Sequence, residues 1–207
     1  MSETLLLYTD FVCPFCFIAE QSTVPRLLAE FDLTLDWRGF ELHPSTPRGG
    51  VSLSRLFPGV PLPTLHERTR QFGARFGVAD FSPPDFLHNT RRALAVAELA
   101  RDHGRLEPFR SAAFEAHWRQ GKNLEDDGDL GDVAVAAGLP REAALAAADD
   151  PAMLARVDDK QAEARAAGVS GIPTFIIAGQ EVVGCQPYEA LAAAAARAGV
   201  PRRGAAR

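Results

Sequence analysis

Phe11-Val12-Cys13-Pro14-Phe15-Cys16-Phe17 holds two of the chain's three cysteines, spaced one helical turn apart. The preceding run, Thr4 to Thr9 with Leu5, Leu6, Leu7 and Tyr8, reads as a buried strand, and Thr9-Asp10-Phe11 as a short link. A helix beginning near Cys13 sets its sulfur beside unpaired backbone N–H groups at the positive end of the helix dipole, which favours thiolate over thiol. Pro14 supports that start, since it has no N–H to lose and its fixed φ suits a first helical turn. Cys16 falls on the same face within bridging reach, one turn deeper and so less exposed. One sulfur is placed to attack and the other to resolve.

Working outward, the helix is expected to run from Cys13 to about Glu30 with a kink at Pro25. The alternation of Phe31, Leu33, Leu35 and Trp37 then has the period of a strand with one buried face. If the two strands are parallel neighbours, a right-handed crossover puts Cys13 beyond the carboxyl end of the first strand, where open α/β sheets place their sites. Residues 38–63 are rich in Pro, Gly and Ser and read as a long loop with a short helical piece near Leu53 to Phe57. Glu41 and His43 in that loop read as surface polar residues, with substrate contact as the alternative.

From Pro63 to Gly168 the pattern is helical almost throughout, and the punctuation is clear. Asn89 or Thr90 caps a helix that stops at Gly104, and Pro108 opens another ending at Gly121. Shorter helices are expected from Leu130 to Ala137 and from Pro140 to Ala148, and a longer one from Pro151 to Gly168. His66, His88, His103 and His117 lack a repeated metal-ligand spacing and read as structural or surface residues. Glu125-Asp126-Asp127-Gly128-Asp129 lacks the ligand spacing of a calcium loop and reads as a solvated turn. The second informative stretch is Gly168-Val169-Ser170-Gly171-Ile172-Pro173-Thr174-Phe175-Ile176-Ile177. Thr174 to Ile177 reads as a strand, Ala178-Gly179-Gln180-Glu181 as a turn, and Val182-Val183 as the start of a returning strand ended by Gly184. Pro173, without an N–H, belongs at a strand's first residue or edge. Pro187 opens a last helix through Leu191 to Ala198, and the small, basic tail 201–207 is expected to fray.

With 207 residues, 46% hydrophobic and 24% charged, the chain can bury the core of one domain, or of one domain carrying a large insertion. A formal net charge of -5 and the lack of a basic stripe exclude a nucleic-acid partner. Leu5 to Leu7 is too short for a signal-peptide core or a membrane span, so a cytoplasmic protein without a membrane partner is expected. In a reducing compartment three cysteines do not build a disulfide framework. The close pair is therefore catalytic, redox-sensing or metal-binding.

Strand, Cys-x-x-Cys helix, strand, helical insertion, then Ile172-Pro173-Thr174 leading into a hairpin and a last helix resembles the DsbA-like branch of the thioredoxin superfamily. The likeness is nearest to the cytosolic FrnE-type dithiol-disulfide oxidoreductases, through Asp10 to Cys16, Phe40-Glu41-Leu42-His43-Pro44 and Gly168 to Phe175. The resemblance implies an α/β, thioredoxin-like fold with an all-helical insertion between an N-terminal β-α-β and a C-terminal β-β-α half. The corresponding segments are 1–62, 63–168, 169–200 and a flexible tail 201–207. It also implies a cis Ile172–Pro173 bond, with the Ile172 backbone facing an extended substrate segment and Pro173 against the cysteine pair. Pro14, Phe15, Ile172 and Pro173 are then the substrate-binding candidates. Kappa-class glutathione transferases and 2-hydroxychromene-2-carboxylate isomerases are similar through the insertion and the late Val-x-Gly-Ile/Val-Pro-Thr-Phe run. They typically carry serine where this chain has Cys13, and Asp-Arg where it has Gln186-Pro187. Both departures count against a glutathione-dependent enzyme.

The reading that follows is thiol–disulfide exchange, with Cys13 attacking and Cys16 resolving. Its partner would be a disulfide- or dithiol-containing protein or a small thiol. No cofactor beyond the pair is expected, with glutathione as a candidate co-substrate and no metal. A metal site on Cys13 and Cys16 needs two more ligands, and no second Cys-x-x-Cys or close Cys/His pair supplies them. Cys185 has two readings, a small buried hydrophobe or an auxiliary redox thiol.

Overall fold

The computed structural model describes residues 2–204. The first strand, β1 (Glu3–Thr9), is followed by α1 (Pro14–Gln21), α2 (Thr23–Glu30) and β2 (Leu33–Gly39). The single expected helix is in fact two, and the break falls at Ser22 rather than Pro25. The Ser22 hydroxyl donates to Ile18 O at 2.6 Å and its N–H to Ala19 O, closing α1. Pro25 then sits in the first turn of α2, where an N–H has no partner to lose. β1 and β2 pair in parallel from Glu3 opposite Leu33 to Thr9 opposite Gly39. The four-stranded sheet is completed by β5 (Thr174–Ile177), antiparallel to β1, and β6 (Gln180–Val183), in the order β2-β1-β5-β6. The β5–β6 turn is tighter than expected. Ala178 (φ 44) and Gly179 (φ 79) form a two-residue loop with both φ positive, so β6 begins already at Gln180.

Between the halves lie β3 (Val51–Ser52), α3 (Leu53–Leu56), α4 (Leu62–Ala74), β4 (Phe86–Leu87), α5 (Arg91–Asp102), α6 (Leu106–Trp118), α7 (Asp127–Ala136), α8 (Arg141–Ala148) and α9 (Pro151–Ala166). The helical reading of 63–168 fails for 75–90, where Phe86–Leu87 pairs with Val51–Ser52 in a small antiparallel ladder. Such short strands carry no readable period. The acidic cluster is not simply a solvated turn. Asp126 caps α7 by accepting from the Gly128 and Asp129 N–H groups, and Glu125 is buried, its carboxylate accepting from Gly49 N. The last helix, α10 (Tyr188–Arg197), leads into a tail that is tied down as far as it is described. Asp32 N donates to Pro201 O, Arg203 N to Glu30 O, and Phe31 bridges Arg202, so 201–204 do not fray; 205–207 lie outside the described residues.

Aromatic packing clamps the first Cys segment between sheet and helical layer. Phe11 stacks on Trp37 at 5.4 Å and meets Phe114 edge-on at 5.2 Å; Phe17 stacks on Trp118 at 5.5 Å. Such pairs add about 0.5–1.5 kcal/mol each beyond area burial. Trp118 also donates its indole N–H to Phe11 O at 2.8 Å, so a residue of the insertion holds the backbone two residues before Cys13.

Candidate active site

β1 ends at Thr9, and the Cys13 N–H donates back to Asp10 O at 3.2 Å, turning the chain into α1. Cys13 occupies the N-cap of α1 with extended φ and ψ, and Pro14 takes the first helical position. The Cys13 sulfur accepts from the Cys16 N–H at 3.3 Å, so one of the helix's unpaired donors is aimed at it. Across from it lies the carbonyl of Ile172, 3.9 Å from the same sulfur. The Ile172–Pro173 peptide is cis, as the resemblance implies. Both cysteines are free thiols. The expected gradient of exposure is nearly absent: Cys13 is 1% exposed and Cys16 0%. Burial first, then the hydrogen bond and charge of Cys13, hold the Cys16 thiol well above its ordinary range.

Residues 4–196 match the family model of the DSBA-like thioredoxin domain. The chain belongs to that family. Among solved structures, this DSBA-like chain is similar to the probable DsbA oxidoreductase SCO1869 from Streptomyces coelicolor, with TM-score 0.85 and 25% identity over 95% of this chain and 89% of that one. It is also similar to 2-hydroxychromene-2-carboxylate isomerase, with TM-score 0.76 and 20% identity over 94% and 95% of the two chains. The cytosolic disulfide reductase DsbM from Pseudomonas aeruginosa shares the fold at TM-score 0.65 and 20% identity, over 94% and 98%.

In this DSBA-like site the structure brings Cys13, Cys16 and Ile172 together, with Pro173 buried and Pro14 part-exposed at the helix start. Phe15 points outward, 43% exposed, its ring edge-on to Phe72 of α4 at 5.0 Å. That contact leads to a cleft of about 650 Å³ lined by Arg26, Phe72, Arg75, Phe76, Cys185 and Tyr188. Cys185 is half-buried. Burial, with a smaller push from the charge of Cys13, moves its thiol up to about 12, so it stands in the cleft wall as a protonated thiol.

Sequence reasoning missed the polar layer beneath the pair. Asp10 is fully buried; its Oδ2 accepts from Leu42 N at 2.8 Å while Oδ1 has no partner. Burial pushes its carboxyl up to about 6, against the pull of the Leu42 N–H. An acidic residue closing an apolar strand just before the cysteines was the available signal. Glu41 is not a surface residue, nor does it face the cleft: it is buried, ion-paired to Arg91 at 2.9 Å, with its backbone bonded to Gln161. His43 is exposed. His117 is buried, and burial lowers it to about 4. Among the described residues no group of three or more His, Cys, Asp or Glu side chains could hold a metal ion, and no helix is long and apolar enough to cross a membrane.

Proposed function

We propose that this chain is a protein-disulfide reductase or isomerase working through Cys13-Pro14-Phe15-Cys16. The observation that carries the reading is the Cys16 N–H aimed at the Cys13 sulfur at the start of α1, with the carbonyl of Ile172 facing the same atom at 3.9 Å. The Cys13 thiolate attacks one sulfur of a substrate disulfide; the Cys13–substrate S–S bond forms and the electron pair leaves on the other substrate sulfur. Cys16 then loses its proton, attacks Cys13, and releases the first substrate sulfur, which takes up a proton. The protein ends as a disulfide and the substrate as a dithiol, two electrons richer. Run backwards, the same steps oxidise a dithiol. The Ile172 carbonyl and the Phe15–Phe72 edge offer an extended polypeptide a main-chain acceptor and an apolar contact beside the sulfurs.

A cytoplasmic setting, which the likeness to cytosolic DsbM supports, favours reduction or isomerisation, because the glutathione pool keeps such a pair reduced. Glutathione is then the small thiol that returns electrons. A glutathione-dependent isomerase is the second reading, favoured by the likeness to 2-hydroxychromene-2-carboxylate isomerase. It uses no resolving thiol, so Cys16 separates the two. Cys16→Ser incubated with a disulfide-containing protein such as insulin should accumulate a Cys13-linked mixed disulfide visible by mass, while the unaltered chain turns over. Full isomerase activity in Cys16→Ser without any trapped adduct would sink the proposal.

A further inference from the structure

Thr9, the last residue of β1, is fully buried, and its Oγ1 has no hydrogen-bond partner among the described residues. A buried hydroxyl left unpaired is uncommon and calls for a cause. Its position is rigid: Thr9 is opposite Gly39 in the parallel ladder, and its carbonyl accepts from Phe40 N at 2.8 Å. The same hydroxyl lies near enough to the Cys16 sulfur to favour its ionised form, as does the Asp10 N–H. Cys16 is 0% exposed, so water does not solvate it.

We propose that Thr9 is a positioning residue for the resolving step, its O–H donating to the Cys16 sulfur while that sulfur carries negative charge. The inference rests on the exchange reading above. A hydroxyl hydrogen rotates to suit its acceptor, and a thiolate accepts far better than a thiol. The bond is therefore weak in the resting dithiol, where Thr9 stands unpaired, and strong while Cys16 is ionised to attack the Cys13–substrate disulfide. An interaction that strengthens only during reaction lowers its barrier. The proton Cys16 gives up ends on the departing substrate sulfur, so Thr9 itself neither gains nor loses one. The first attack, made by Cys13, does not use it.

The test separates the two steps. Thr9→Val keeps shape and burial and removes the donor; Thr9→Ser keeps the donor. In single-turnover experiments with a mixed-disulfide-forming substrate, Thr9→Val should slow release of the substrate thiol about tenfold, the value of one charge-assisted bond, and move its pH midpoint upward. Formation of the mixed disulfide, followed in the Cys16→Ser background, should change less than about twofold. Thr9→Ser should restore release and its midpoint. Unchanged release and midpoint in Thr9→Val, or failure of Thr9→Ser to restore them, overturns the inference. An unaltered chain that forms no mixed disulfide refutes the exchange reading itself, and this one with it.

Discussion

Two thiols lie close enough for charge on Cys13 to be felt at Cys185, and their surroundings differ in the respects that matter for thiol chemistry. Cys13 caps a helix, accepts an N–H from Cys16, and has a second sulfur one turn along. Cys185 follows the end of β6, with no hydrogen bond to its sulfur among the described residues and burial holding it protonated up to about 12. On the proposed reading, nearness to a cleft is not what makes a cysteine reactive. Donors aimed at the sulfur, and a partner within bridging reach, are.

The sharpest way to break that comparison is to exchange oxygen for sulfur at its first member. Cys13→Ser should lower insulin-disulfide reduction about a thousandfold or more, because a hydroxyl at the same helix start neither ionises near neutrality nor forms the S–S intermediate. Reduction assays across a range of reductant concentrations check it, with the melting temperature confirming that the fold is intact. Activity within tenfold of the unaltered chain would move the chemistry away from Cys13.

The asymmetry between the two thiols was partly legible in the sequence. Cys13 with Pro14 announced a helix start, and a helix start dictates where N–H groups point; the strands of the first half and the hairpin after Pro173 followed from period and turn chemistry. What stayed hidden depends on long-range packing. Ser22 splits the expected helix through a hydroxyl-to-carbonyl bond that Thr would also make in other contexts, and Phe86–Leu87 is too short to have a period. Glu41 looked like a loop carboxylate because its partner Arg91 lies 50 residues away. Asp10 and Thr9 looked like a link, since nothing in their local sequence shows that the sheet, the Leu42 loop and α5 enclose them.

A smaller effect concerns the brace beneath Cys13, which has no counterpart at Cys185. Asp10 holds the Cys13 N–H through its carbonyl, and its carboxyl titrates at about 6 when folded against an ordinary value of 3.8. Between those two values the unfolded chain releases its proton while the folded chain keeps it, so stability falls as pH rises through the window and the loss is complete above about 6. The shift corresponds to about 3 kcal/mol at most. Asp10→Asn should flatten that part of the stability profile, measured by urea unfolding from pH 4 to pH 7.5, and should leave the Leu42 N–H its acceptor. Parallel profiles for the two proteins would show that Asp10 is not the group responsible.

The smallest expected effect tests the second thiol directly. If an auxiliary redox role needs a thiolate, Cys185 fails the requirement near neutral pH, since burial penalises its charged form and no donor offsets the cost. Cys185→Ser should therefore change reductase and isomerase rates by less than about twofold, with the small change coming from a polar group set into the cleft wall beside Phe72 and Tyr188 rather than from lost electron transfer. Cys185→Ala distinguishes these sources: it removes the sulfur without adding polarity, and should sit nearer the unaltered chain than serine does. A fall of tenfold or more in both variants, with a Cys13–Cys185 disulfide trapped during turnover, would mean that proximity to Cys13 outweighs the unfavourable setting. The distinction between the two thiols would then lie in timing rather than in reactivity.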